Sequence, residues 1–82
     1  MSDEIEALAR RFPQHASSIR RLHARDPDFR SICDDYGLAQ RALKHWEAVG
    51  QAAPPGRVEE YREIVQELEA EVLAILQAFE GN

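Results

Sequence analysis

Residues 26–47 read DPDFRSICDDYGLAQRALKHWE, and the way this run begins and repeats decides the fold. Asp26 can cap free amides, Pro27 suits a first helical position because its missing N–H has no partner there, and Asp28 favours the positive end of the helix dipole. Phe29, Ile32, Tyr36, Ala39, Leu43 and Trp46 then recur at steps of three and four, one stripe of an amphipathic helix. The spacing predicts a helix over 27–49. Gly37 breaks the pattern, costing about 1 kcal/mol relative to alanine inside a helix, so either the backbone is approached closely there or the helix ends and restarts. Continuity is the expectation. Leu38 and Val49 fall away from the stripe and offer a second apolar contact on the opposite face.

Reading outward, residues 50–56, GQAAPPG, hold two glycines and two prolines that no helix interior would keep, and mark a loop. The segment after it, RVEEYREIVQELEAEVLAILQAFE, places Val58, Tyr61, Val65, Leu68, Val72, Ile75 and Phe79 in strict 3-4 alternation, which is coiled-coil spacing. Leu76 joins this seam, and Ile64 and Leu73 widen it. A helix over 57–79 follows, matched in length to 27–49, and two matched helices joined by a short turn predict an antiparallel hairpin. Upstream, Ile5, Leu8, Phe12, Ile19 and Leu22 repeat the pattern, so a third helical segment over 3–24, kinked or broken at Pro13, can pack on the hairpin. The fold class is all-α, a single helical domain over residues 1–82 with a coiled-coil-like seam, associating into a helical bundle.

A domain of 82 residues buries only about 60–65% of its unfolded surface, so its core is thin. The final helix offers ten large apolar side chains from Val58 to Phe79, against six seam positions on the middle one. Two or three of Ile64, Leu73, Leu76 and Phe79 would then stay wet unless a second chain covered them, which predicts self-association, most simply as a dimer.

Charge is unevenly spread. Residues 1–50 carry eight Arg or Lys and eight Asp or Glu, whereas residues 51–82 carry two and seven, so the net charge of −5 arises in the last third. Between residues 5 and 25, Arg10, Arg11, Arg20, Arg21 and Arg25 face Glu6 alone. A basic helix and an acidic one are built to face each other within a fold or across a dimer. The same arginines define an alternative, a nucleic-acid patch on the first helix, though they lack interleaved aromatics. No apolar run reaches the roughly 20 residues that cross a bilayer. The N-terminal residues do not read as a secretory signal, and the single cysteine, Cys33, can form no internal disulfide, so a cytoplasmic location is expected.

Catalytic chemistry finds little to build on. His15, His23 and His45 are never three or four residues apart, the separation that sets two ligands on one helical face, so no metal site is expected. Cys33 stands beside Asp34 and Asp35, whose charges disfavour a thiolate, and reads as a small apolar flank of the seam. Adjacent carboxylates diverge by about 100° on a helix, so Asp34 and Asp35 read as a solvated face. Tyr36, Trp46 and Tyr61 lie in the apolar repeats and read as core rather than as a stacking platform. No cofactor motif is present. An enzymatic alternative is a small all-helical catalyst of the chorismate-mutase type, with Arg20, Arg21, Arg25, Arg41 and Lys44 recruited to line a site for a dicarboxylate.

The run from His15 to Glu47, with His15, Leu22, Asp26, Asp28-Phe29, Tyr36 and Glu47, resembles the small bacterial YdcH-like proteins, and LEAEVLAIL at 68–76 resembles the end of the same pattern. The resemblance implies a short cytoplasmic helical hairpin with coiled-coil character and no assigned biochemical activity. Ala39-Gln40 replaces the leucine-acid pair usual there, and Glu59, Glu60, Glu63 and Glu67 replace a lysine-rich start to the last helix. The combined expectation is a non-enzymatic helical interaction or adaptor protein. Its interaction seam is formed by Phe29, Ile32, Tyr36, Leu43, Trp46, Val58, Tyr61, Val65, Leu68, Val72, Ile75, Leu76 and Phe79.

Overall fold

The computed structural model describes residues 3–81, and among them the fold is all-α with no strand. Four helices follow in order: α1 (Asp3–Arg11), α2 (Ala16–Arg25), α3 (Pro27–Val49) and α4 (Arg57–Gly81). The two long ones form the hairpin, and α1 and α2 lie across one of its flanks.

Helix α3 begins as its residues dictate. The Asp26 carboxylate accepts the backbone N–H groups of Asp28 and Phe29 at 3.0 and 3.2 Å, supplying partners that the first helical turn lacks. The helix runs without a break through Gly37, and the reason lies in α1. A methyl group built on Gly37 would overlap Cγ of Glu4, so glycine is the residue that lets α1 approach here. The helix stops at Gly50, whose φ of 64° is left-handed, and a short 3-10 turn over Gly50–Ala52 leads to Pro54 and Pro55. Gly56, with φ 79°, turns the chain into α4.

Of the two outcomes open at Pro13 in the segment 3–24, a kink and a break, the structure has the break. The segment forms two helices. Pro13 restricts Phe12, which sits at φ −127° and ψ 69°, outside the helical region, and a single 3-10 turn over Pro13–His15 separates α1 from α2. Each of the two pieces reaches both long helices. Glu4 meets Arg41 of α3 at 3.9 Å while Arg11, at the other end of α1, meets Glu69 of α4 at 3.3 Å. After the turn, His15 and Ser18 reach Glu80 near the end of α4, and the His23 carbonyl accepts from Arg30 near the start of α3.

The core fills the space under these two helices. Leu8, Ile19, Cys33, Val72 and Leu76 are fully buried, and Phe29 and Tyr36 nearly so; Ile5, Phe12, Leu22, Ala39 and Val65 complete the cluster. Each such large side chain contributes about 1.5–3 kcal/mol relative to leaving it in water. Leu76, expected among the candidates for a wet position, is therefore covered by its own chain, and Leu73, Ile64 and Phe79 are half-buried. Part of the case for a dimer rested on Leu76, and burial within its own chain removes that part.

Candidate interaction surface

The thirteen seam residues do not share one environment. Phe29, Tyr36, Val65, Val72 and Leu76 are buried; Ile32, Leu43, Trp46, Val58, Tyr61, Leu68, Ile75 and Phe79 are half-buried. The division follows position around the helices. At 100° per residue, Val65, Val72 and Leu76 fall together on α4 and Glu69 lies just beyond them, toward α1, whereas Ile64, Leu68 and Tyr61 turn the other way. Tyr36 closes the first side with polar contacts: its hydroxyl donates to Glu69 at 2.9 Å and accepts from Gln40 at 2.7 Å. Burial raises the Tyr36 pKa, with the Glu69 carboxylate adding to the shift and the Gln40 hydrogen bond opposing it.

On the other side, α3 and α4 leave a groove of about 590 Å³ lined by Asp35, Leu38, Ala39, Ala42, Tyr61, Ile64, Glu67, Leu68 and Glu71. Its floor is apolar. Leu38 is 60% exposed, and Val49, further along α3, is 36% exposed. Asp35 stands on one rim and Glu67 and Glu71 on the other; none of the three is in an ion pair among the described residues. Sequence reading named Leu38, Ile64 and Glu67 without bringing them together, weighed Asp35 only as an acid, and missed Ala42. The recurrence of Leu38, Ala42 and Val49 along one edge of α3 was the available signal.

The cations considered for other roles are scattered. Arg20 pairs with Glu6 at 3.9 Å, and Arg21 and Arg25 lie over the Phe79 ring at 5.2 and 5.1 Å. Arg41 and Lys44 share a cleft of about 340 Å³ with Arg10, but Glu4 and Glu6 line it too. Among the described residues, the cations proposed for a dicarboxylate site divide between clefts, Arg41 and Lys44 in one and Arg21 and Arg25 in another. Of the arginines in the first segment, only Arg10 makes neither an ion pair nor a ring contact among the described residues.

His15, His45 and Cys33 are each engaged by the fold. His15 Nδ1 lies 2.7 Å from Glu80, to which Ser18 also donates, and these hydrogen bonds hold the Glu80 carboxyl below its ordinary pKa. His45 meets the edge of Trp46. Cys33 is fully buried, and its thiol pKa is pushed up to about 12, first by burial and then by the charges of Asp34 and Glu4. The neighbouring carboxylate was legible in the sequence; the larger effect of burial was not. Among the described residues no His, Cys, Asp and Glu side chains cluster in a way that could hold a metal ion, and no helix is long and apolar enough to cross a membrane. No protein-family model, curated protein or solved structure matches the chain.

Proposed function

We propose that this protein is a non-enzymatic helical interaction module whose working surface is the uncovered flank of the α3/α4 hairpin. The observation that carries the reading is Leu38, a large apolar side chain 60% exposed at the edge of an apolar groove, in a chain small enough that each wet apolar group is costly. The scattering of acids, histidines and arginines supports it, since a catalytic site needs polar groups to converge. The resemblance to YdcH-like proteins, which implies a hairpin without assigned activity, agrees with it. A soluble cytoplasmic setting, with its reducing conditions, suits the free buried thiol of Cys33.

A dimer is the second reading, favoured by the same exposed leucine, which a second hairpin could cover. Both readings are tested by placing a photo-crosslinking residue at position 38 of the full chain in its native cell, with exposed position 66 as the control. Polypeptide adducts specific to position 38 are expected, and an adduct to a second copy identifies the dimer. Equal or absent adducts at the two positions would overturn the interaction reading.

A further inference from the structure

The groove between α3 and α4 has a charge as well as a shape, and the geometry points to a cationic amphipathic helix as its occupant. This inference rests on the interaction reading and names the chemistry of the partner. On the opposite flank, the same pair of helices already takes helical segments, α1 and α2, between its ridges. The open flank offers an apolar floor of Leu38, Ala42, Tyr61, Ile64 and Leu68, to which large side chains at i, i+3 or i+4, and i+7 of a helix are suited.

Its rim selects sign. Asp35, Glu67 and Glu71 line the groove, and no Lys or Arg does. Glu67 and Glu71 are four residues apart on one helix, where like charges repel, and neither is in an ion pair. Lysines or arginines flanking the apolar face of an incoming helix would relieve that repulsion and set its register.

A second copy of this chain fits less well. Two-fold pairing through the groove would bring each acidic rim against its twin. Eight of the chain's ten Lys and Arg residues are also engaged elsewhere: Arg11, Arg20, Arg41 and Arg62 in ion pairs, Arg21, Arg25 and Arg57 over aromatic rings, and Arg30 on the His23 carbonyl.

Three labelled peptides of 18 residues test this by fluorescence anisotropy with the full chain, at near-physiological salt where long-range attraction is screened. One is a Leu/Lys amphipathic helix; one carries Glu for every Lys on the same apolar face; one has the Leu/Lys composition scrambled to leave no apolar face. The Leu/Lys helix is expected to bind at least tenfold more tightly than either control. Leu38→Ser should weaken it about tenfold, and Glu67→Gln with Glu71→Gln should do likewise. Asp34→Asn with Glu63→Gln makes the same change of charge at exposed positions outside the groove, and should alter binding less than twofold. Circular dichroism checks that each variant keeps its helices.

Equal binding of the Lys and Glu helices would overturn the cationic partner while leaving docking in the groove intact. Equal binding of the scrambled peptide would reduce the effect to general acidity and overturn the inference. Absence of peptide binding, with self-association that Leu38→Ser abolishes, would make the occupant a second copy; that overturns the inference and keeps the interaction reading. Absence of peptide binding and of self-association overturns the inference, and the fate of the interaction reading is then decided by the cross-linking at position 38.

Discussion

The two flanks of the α3/α4 hairpin are made of similar residues and have opposite fates. On one, α1 and α2 cross the hairpin and bury Val72 and Leu76 completely. On the other, Leu38 stays 60% exposed over a groove whose floor includes Tyr61, Ile64 and Leu68. The polar residues differ more than the apolar ones. The covered flank mixes signs, with Arg11 on Glu69, His15 on Glu80 and Arg41 by Glu4. The open flank is rimmed by Asp35, Glu67 and Glu71 without a cation. The flank completed in cis is thus the one of mixed charge, and the flank left open is the one of a single sign.

Thiol chemistry should separate the flanks most sharply. At pH 8, a thiol with a pKa of about 12 is thiolate roughly a thousandfold less often than one with an ordinary pKa near 8.5. Cys33 should thus react with an alkylating reagent at least about a thousandfold more slowly than the cysteine of a Leu38→Cys, Cys33→Ala variant. Comparable rates, followed by mass spectrometry, would break the contrast.

Truncation tests the same division in free energy. Leu76→Ala should cost about 2–5 kcal/mol in urea unfolding, because it empties a fully buried site, whereas Leu38→Ala should stay within about 0.5 kcal/mol. A large loss at Leu38 in monomeric protein would mean that the open flank is covered in cis after all.

Gly37 probes how closely the covering helix approaches. In an open helix, Gly37→Ala would stabilise by about 1 kcal/mol. Here the new methyl meets the Glu4 side chain, so the gain should be offset, and should reappear in a Glu4→Ala background. A full gain in the unmodified background would show α1 further from α3 than described.

Acid should loosen the clasp of α2 on the end of α4, with the smallest effect of the series because Glu80 is near the surface. Its folded-state pKa is lowered, first by the hydrogen bond with His15 and then by that from Ser18. The contribution is thus complete above the unfolded value and is lost as pH falls through the folded one. Below about pH 4.5, stability should fall more steeply in the natural chain than in Glu80→Gln. Parallel pH profiles would remove the clasp from the account of the covered flank.

Much of the architecture was settled by interactions between residues near in sequence. The span 27–49 was legible to the residue because Asp26, Pro27 and Gly50 act through capping and backbone conformation within one helical turn. The last helix was legible through its repeat and extends two residues past the expected end at 79. Continuity through Gly37 was readable, with close approach offered as one reason for the glycine, but the approaching side chain, Glu4, was not. Pro13 announced a disturbance, and its local chemistry left open whether the segment would kink or break. Likewise, ten apolar side chains on the last helix could be counted without knowing which would be wet. Leu76 and Ile64 belong to one broad apolar stripe, and the helical period does not say which part of it a covering helix reaches; the first disappears under α1 and α2 and the second faces the groove. That assignment depends on contacts between residues up to 65 apart, such as His15 with Glu80, and no local preference encodes the direction from which a covering helix arrives.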